Sequence, residues 1–135
     1  MRQFQLKIVT PDGLRYDGPA EEITVRTTEG EMGILAGHIN CVAPLGMGRS
    51  MMVLDGKKRY AACIGGMITV VDGTVTLVPT TFEWADDIDA ARAQASLDRA
   101  QKVLDNKDNV TETDLKLAEA RLHRALVRKN VASFK

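Results

Sequence analysis

The sequence contains no proline and no glycine after residue 84, although its 135 residues include 11 glycines and 4 prolines. Because these two residue types interrupt regular structure, their absence favours long helices in the second part. The first part has short apolar runs between glycine-rich turns, which is typical of β-strands. We therefore predict an α+β protein, with an N-terminal antiparallel β-sandwich at residues 1–84 and a C-terminal antiparallel two-helix hairpin at residues 85–135.

Long apolar segments are also missing. No run approaches the roughly 20 residues that a membrane-spanning helix needs, and the first residues do not resemble a signal peptide. We therefore expect no direct membrane insertion. The two cysteines, Cys41 and Cys63, are far apart in the chain. We expect both to be small core residues in a reducing cytosolic setting, with a disulfide between them as the alternative.

Neither sign of charge is in excess, since 18 basic residues balance 18 acidic ones. This balance argues against a protein that binds nucleic acid by neutralising phosphates. The distribution is uneven, because Glu119 is the single acidic residue in segment 115–135, which has six basic residues: Lys116, Arg121, Arg124, Arg128, Lys129 and Lys135. This basic segment is either a solvated helix end, where the helix dipole favours cations, or a binding surface for an acidic partner.

Catalytic motifs are missing as well. The two histidines are His38 and His123, and no Ser-His-Asp or Cys-His arrangement has a recognisable spacing. No cluster of side chains has the spacing of metal ligands. The sequence therefore predicts a non-catalytic protein.

Alternating apolar residues predict strands around residues 4–8, 23–25, 51–54, 59–64, 67–71 and 75–78. Segment 29–38 has three glycines, at positions 30, 33 and 37, and we expect it to form a tight irregular loop at a corner of the sandwich. A phosphate-binding loop is disfavoured, because the lysine of that motif is absent.

The helical part begins with Asp86 and Asp87, either of which is a suitable N-cap. The predicted inward face of the first helix consists of Ile88, Ala91, Ala95 and Val103. After a polar loop at 105–109, Thr111 and Asp114 resemble a capping box that opens the second helix. Its predicted apolar stripe consists of Leu115, Ala118, Leu122, Ala125 and Leu126. Because alanine buries little area, we expect this seam to be weak and the hairpin to be able to open.

Several short segments follow one another along the chain: Val9-Thr10-Pro11-Asp12-Gly13, the 29–38 loop, Leu45-Gly46-Met47-Gly48, Gly65-Gly66, and Ile88-Asp89-Ala90-Ala91-Arg92-Ala93. In order and spacing these segments resemble the epsilon subunit of bacterial rotary F-type ATP synthases, over essentially the full chain. Ala36 departs from the pattern, since the family often has proline in this loop, and this difference loosens a turn.

The resemblance implies a non-catalytic central-stalk subunit that couples the gamma subunit to the c ring. In the family the loop that carries Glu29, Glu31 and His38 faces the polar loops of the c ring. Without the resemblance, Glu31 would be interpreted as a solvated turn residue. Such a subunit is a peripheral protein on the cytoplasmic face of the bacterial plasma membrane.

The resemblance also implies that the helix hairpin is regulatory. When it is folded against the sandwich, catalysis proceeds. When it extends along gamma into the alpha/beta catalytic head, it blocks ATP hydrolysis.

Several bacterial members bind ATP in the folded hairpin, as a regulatory ligand with or without magnesium. The residues that match this site are Glu83, Ile88, Asp89, Arg92, Ala93, Arg99, Arg124 and Arg128. Guanidinium groups suit a triphosphate because they donate two parallel hydrogen bonds. Two alternatives stay open: Asp89 serves only to cap its helix while the arginines are solvated or ion-paired, or the chain is a free-standing ATP-sensing module.

Overall fold

A computed structural model describes residues 2–135, apart from the side chain of Lys107. The described chain forms two compact units, the first ending at Trp84 and the second beginning at Ala85. The strands of the first unit are β1 (Phe4–Thr10), β2 (Gly13–Ala20), β3 (Glu22–Thr27), β4 (Gly30–Leu35), β5 (Cys41–Pro44), β6 (Met47–Leu54), β7 (Lys57–Val71) and β8 (Thr74–Trp84). The second unit contains a 3₁₀ helix (Ala85–Asp87), α1 (Ala90–Asp105), a second 3₁₀ helix (Lys107–Asn109) and α2 (Glu112–Ala132).

The strands are hydrogen-bonded in the order β2-β1-β8-β7-β6-β3-β4, and β5 pairs with β7. All of these pairings are antiparallel except the one between β1 and β8, which is parallel. The predicted fold class, a β-sandwich followed by a helix hairpin, is confirmed.

The core of the first unit follows from alternation along the strands. Every second residue of β1, from Phe4 to Thr10, is buried, and the residues between them are exposed or half-buried. Because side chains of a strand point to opposite faces in turn, this pattern directs one face of β1 inward. Leu6 and Ile8 are fully buried and belong to one apolar cluster that draws on most of the strands.

The predicted irregular loop at residues 29–38 is wrong over most of its length. Gly30–Leu35 forms β4, which pairs with β3 in continuous register at one end of the strand order. Glycine has a low preference for strands, so this segment does not resemble a strand in the sequence. It forms a strand because its backbone is hydrogen-bonded to β3. Only the turns on either side of β4 are irregular.

Two strands predicted at 59–64 and 67–71 are parts of one long strand, β7. Gly65 and Gly66 both have positive φ, and pairing with β8 is interrupted at Gly65. A Cβ atom at Gly66 would lie 2.0 Å from the carbonyl oxygen of Val78. Glycine is therefore required here to let β7 bend against β8, rather than to end the strand.

The start of α1 differs from the prediction. Asp86 and Asp87 lie in the 3₁₀ helix, and the N-cap of α1 is Asp89, whose carboxylate accepts a hydrogen bond from the backbone N–H of Arg92 at 3.0 Å. The predicted cap of α2 is confirmed, since Thr111 Oγ1 accepts from the Asp114 N–H at 3.1 Å.

The two helices pack through alanines that repeat every seven residues. Ala93 and Ala100 are buried on α1, and Ala118 and Ala125 are buried on α2. The inward face predicted for α1 is wrong at two of its positions, Ala91 and Ala95, which are exposed; Val103 is half-buried and Ile88, which precedes the helix, is buried. Because two residues correspond to about 200° around a helix, the buried face of α1 lies on a largely different side from the predicted one, and the buried positions within α1 are alanines alone.

Candidate functional site

Asp89 and Arg92 lie at the beginning of α1, where Asp89 occupies the N-cap. One carboxylate oxygen of Asp89 is bonded to the first turn of the helix, so this side chain has a structural role whatever ligand it binds. Arg92 is exposed, while Ala93 next to it lies in the seam. The motif therefore combines a capping residue, an exposed cation and a close helix contact.

The other predicted arginines occupy regular positions on the two helices. Arg92 and Arg99 are seven residues apart on α1, which places them on one face at an axial separation of about 10.5 Å. Arg124 and Arg128 are four residues apart near the end of α2, and they are neighbours on its surface. Because α1 and α2 are antiparallel neighbours, the end of α2 lies beside the start of α1. Arg124 and Arg128 are therefore at about the same level along the hairpin as Arg92, and Arg99 is closer to the loop.

A cleft of about 580 Å³ lies between α1 and α2, toward the loop that joins them. Its lining residues are Ser96, Arg99, Ala100, Val103, Val110, Asp114, Leu117, Ala118 and Arg121. Of the predicted ATP-binding residues, only Arg99 lines this cleft. Sequence reasoning missed Arg121 and Ser96, although Arg121 is seven residues before Arg128 and hence on the same side of α2.

Glu83 lies in β8 of the first unit, where it is half-buried and paired in register with Ala62. Ile88 is buried and sits just after the 3₁₀ helix that opens the second unit. The end of α2 packs on this 3₁₀ helix. The predicted ATP-binding set is thus divided between β8, the start of α1 and both helices.

The residues predicted to face the c ring lie at the two ends of β4. Glu29 is in the turn before β4, with its N–H bonded to Thr27 Oγ1 at 3.1 Å, and Glu31 pairs in register with Arg26. His38 follows the other end of β4, and its Nδ1 lies 2.8 Å from the carbonyl oxygen of Ile39 and 4.0 Å from Cys41 Sγ. The two glutamates are thus two residues apart at the start of β4, whereas His38 follows its end.

Large apolar side chains are exposed at the end of β4 and in the segment that follows His38. Ile39 is 77% exposed and Val42 is 60% exposed, and Leu35 is exposed as well. The register of β5, β7 and β8 places Val42, Met67 and Val78 on one face of the sheet. We call Leu35, Ile39, Val42, Met67, Val71 and Val78 the apolar strip. Its signal in the sequence is the stretch Met67-Ile68-Thr69-Val70-Val71, which is apolar on both faces of a strand.

Exposed apolar groups of this kind are individually ordinary, but the presence of Val42, Met67, Val71 and Val78 on one face of β5, β7 and β8 is typical of a protein-binding surface. No group of three or more possible metal ligands occurs among residues 2–135 whose side chains are described. Over that same part of the chain, neither helix has the length and apolar character needed to cross a membrane.

Comparison with known proteins identifies the family. The family described as ATP synthase, Delta/Epsilon chain, beta-sandwich domain matches residues 3–85, and its companion, the long alpha-helix domain, matches residues 86–133. This chain belongs to the ATP synthase epsilon chain family. The ATP synthase epsilon chain of Bacillus velezensis is 40% identical over 132 residues, which cover 98% of each chain. The epsilon chain of Ruminococcus albus is 39% identical over the full length of both chains.

Solved structures of ATP synthases contain chains similar to this epsilon-family member. In the Euglena gracilis mitochondrial ATP synthase structure, which comprises OSCP, F1 and the c ring, one chain is 27% identical with a TM-score of 0.82, and the match covers 98% of this chain and 82% of that one. A chain from the central stalk and c ring of the Tetrahymena thermophila enzyme matches with 15% identity and a TM-score of 0.66, covering 97% of each. The second likeness shows the fold alone.

Proposed function

We propose that this epsilon chain is a non-catalytic rotor subunit with a movable inhibitory hairpin. The β-sandwich couples gamma to the c ring, and the hairpin blocks ATP hydrolysis when it extends into the alpha/beta catalytic head. ATP binds the folded hairpin and holds it closed. The protein works as a peripheral subunit on the cytoplasmic face of the plasma membrane.

The observation that carries this proposal is the alanine seam between α1 and α2. Four alanines form its buried core, and burial stabilises by only ~25 cal/mol for each Å² of apolar surface. The hairpin therefore opens at a modest cost in free energy. Contacts in the catalytic head need only a few kcal/mol of preference for the open form to shift the population.

Docking of the sandwich is supported by the apolar strip and by the carboxylates of Glu29 and Glu31. The strip provides exposed apolar area that a partner such as gamma would bury. Glu29, in the turn between β3 and β4, and Glu31, near the start of β4, offer carboxylates to hydrogen-bond donors on the polar loops of the c ring. Desolvation on docking would strengthen these contacts relative to those in water.

ATP binding is supported by the arrangement of arginines. Arg92 lies in the first turn of α1, and Arg124 and Arg128 lie on α2 at about the same level of the hairpin. A triphosphate between the helices would accept hydrogen bonds from arginines of both helices. A ligand that bridges α1 and α2 binds only the folded hairpin. By linkage, the ligand stabilises that form by an amount that grows with the logarithm of its concentration once the concentration exceeds the dissociation constant.

The first test is an ATP titration of the isolated chain by calorimetry and by the fluorescence of its single tryptophan, Trp84, with magnesium present and absent. We expect saturable binding of one ATP per chain that Arg92→Gln weakens by about tenfold or more, as loss of a charged hydrogen bond implies.

Asp89 needs two substitutions, because it caps α1 as well as belonging to the predicted site. Asp89→Asn retains a capping side chain and removes the carboxylate, whereas Asp89→Ala removes both. If Asp89→Asn binds ATP as the wild type does while retaining its helix content, Asp89 is only a cap. If the wild type shows no ATP binding at millimolar concentration, the proposed ATP control is incorrect.

A further inference from the structure

Ile39 lies in the segment at residues 36–40, between β4 and β5, and its side chain is 77% exposed. No other large apolar side chain in the described part of the chain is as exposed. Single exposed apolar residues are common in folded proteins, so exposure alone assigns no role. What sets Ile39 apart is the backbone around it, which side-chain hydrogen bonds hold in one conformation.

One of these hydrogen bonds comes from the neighbouring residue, His38. The His38 N–H donates to the carbonyl oxygen of Leu35 at 3.2 Å, and its Nδ1 lies 2.8 Å from the carbonyl oxygen of Ile39. Because a carbonyl oxygen can only accept, Nδ1 carries the proton in this contact. The His38 side chain therefore fixes the peptide group that follows Ile39.

Asn40, on the other side of Ile39, connects the segment to the turn between β7 and β8. Its Oδ1 accepts from the backbone N–H of Asp72 at 2.8 Å, and its Nδ2 donates to Asp72 Oδ1 at 3.4 Å. Asp72 has a φ of +48° and belongs to the short turn that joins the two strands. Hydrogen bonds on both sides of Ile39 thus restrict the backbone from which its side chain projects.

The position of Ile39 continues the apolar strip toward the end of β7. Val42 in β5 and Val71 in β7 are exposed strip residues, and β5 pairs with β7. Since Asn40 is bonded to Asp72, Ile39 and Val71 each directly precede one of the two bonded residues. A partner surface that covers Val42 and Val71 therefore reaches Ile39 as well.

A fixed backbone makes an exposed apolar side chain a better contact for a partner. Ordering a mobile loop on binding costs free energy, and a loop already held in its bound conformation avoids that cost. When only a fraction of the molecules has the competent conformation, the apparent dissociation constant rises by the reciprocal of that fraction. His38 and Asn40 keep this fraction high for Ile39.

We propose that Ile39 is the anchor residue of the surface that docks on gamma and that Asn40 is its positioning residue. This proposal rests on the proposed function, in which the sandwich docks on gamma. Ile39 inserts into an apolar pocket of gamma, and the neighbouring strip residues exclude water from that contact. Asn40 acts through Ile39, by holding it in the conformation that binds.

The test measures association and dissociation rates of the full chain with a bacterial F1 complex depleted of its epsilon subunit. We expect Ile39→Ala to raise the dissociation constant about thirtyfold, mainly through faster dissociation, because a buried anchor is lost. Leu14→Ala is the matched control: it shortens an exposed side chain of β2 outside the strip, and it should bind as the wild type does. Because both positions are exposed, urea unfolding should be nearly unchanged in the two variants.

Asn40→Ala tests the positioning role. It should weaken binding about tenfold, mainly by slowing association, because fewer molecules present Ile39 in the binding conformation. In a chain that already carries Ile39→Ala, the same substitution should weaken binding less than about threefold. A residue that only stabilises the fold would cause the same loss in both chains.

Exchange of the two bonded side chains provides a conservative variant. Asn40→Asp alone places a second carboxylate beside that of Asp72, and the repulsion between them should weaken binding. Asp72→Asn in the same chain restores one amide and one carboxylate, and asparagine tolerates the positive φ of this turn. The combined variant should therefore bind nearly as the wild type does.

The outcomes separate this proposal from the one on which it rests. Unchanged binding of Ile39→Ala, or equal losses from Asn40→Ala with and without Ile39, overturns this proposal while docking on gamma stands. A loss confined to an isolated c ring, or to self-association of the free chain, assigns Ile39 to another partner and also overturns it. A wild-type chain that does not bind the depleted F1 complex contradicts the proposed docking and this proposal together.

Discussion

At the scale of single residues, Gly66 is the position where the sandwich is least tolerant of change. Its φ is +95°, and an added Cβ would lie 2.0 Å from the Val78 carbonyl oxygen. Gly73 has a similar φ of +84° but has open space around the added atom. Substituting alanine at Gly73 therefore measures the cost of the positive φ alone, whereas substituting it at Gly66 adds the cost of the steric clash with β8.

We expect Gly66→Ala to lower the free energy of unfolding by ~3 kcal/mol or more, since the backbone of β8 must shift. Gly73→Ala should cost ~1 kcal/mol, because only a left-handed conformation is disfavoured. Urea unfolding followed by Trp84 fluorescence measures both. Equal losses of stability for the two variants would contradict the close contact between β7 and β8.

The two cysteines differ in burial, and we expect them to differ in reactivity. Burial raises the pKa of the Cys63 thiol from 9.0 to about 11. The nearby Ser50 hydroxyl opposes this shift, but it has no partner within hydrogen-bond distance, so it stabilises the thiolate only weakly. Cys41 is half-exposed, and both cysteines are free.

Because the thiolate is the nucleophile, a thiol reagent at pH 8 should label Cys41 readily and Cys63 only after denaturation. The Cys63 proton also links stability to pH. The unfolded chain releases it near pH 9 and the folded chain holds it to about 11, so deprotonation favours unfolding as pH rises through this interval. Mass spectrometry of the labelled protein assigns the sites. Equal labelling of both cysteines in the native state would show that Cys63 is accessible.

At the scale of elements, the sequence predicted best where a local interaction decides the structure. The cap of α2 follows from Thr111 and Asp114 alone, which are three residues apart. The cap of α1 was misplaced because three aspartates compete within four residues, and only the 3₁₀ helix at Ala85–Asp87 decides between them. β4 was missed because its glycines conceal a strand that depends on pairing with β3.

The candidate site shows the same limit. Arg92 and Asp89 belong to a short motif, and the sequence alone selects them. Arg121 becomes a candidate only when the two helices are placed side by side, because Ser96 and Arg99, which line the same cleft from α1, are 25 and 22 positions away in the chain. Residues that meet across a helix hairpin have no fixed spacing in the sequence, so no sequence motif indicates their contact.

The apolar strip is the element-scale feature that bears on assembly. Val42 on β5 is 60% exposed, so Val42→Lys should change the stability of the isolated chain by less than ~0.5 kcal/mol. We expect it to weaken binding to the gamma subunit and c ring by at least about tenfold, since a charge would be buried in an apolar contact.

Leu14→Lys is the control for this prediction. Leu14 on β2 is 57% exposed and lies outside the strip. Binding of each variant to a complex that lacks its own epsilon chain can be measured by co-sedimentation. Equal binding of the Val42 variant and the wild type would exclude the strip as the docking surface.

At the scale of the whole molecule, the two units differ in how extensively they are packed. The sandwich has one extensive apolar core, as a rigid docking element needs. The hairpin has a narrow alanine seam, and its larger side chains Leu117 and Leu126 are exposed. A stable sandwich and a weakly packed hairpin suit a subunit whose first unit stays bound while its second unit changes conformation.

The central claim is that the second unit inhibits and the first unit docks. The most direct measurement is ATP hydrolysis by a bacterial F1 complex depleted of its epsilon subunit, reconstituted either with the full chain or with a chain ending at Trp84. We predict that both chains bind, that the full chain lowers the hydrolysis rate, and that the shortened chain leaves the rate unchanged. Equal inhibition by the two chains, or none by the full chain, would contradict the claim.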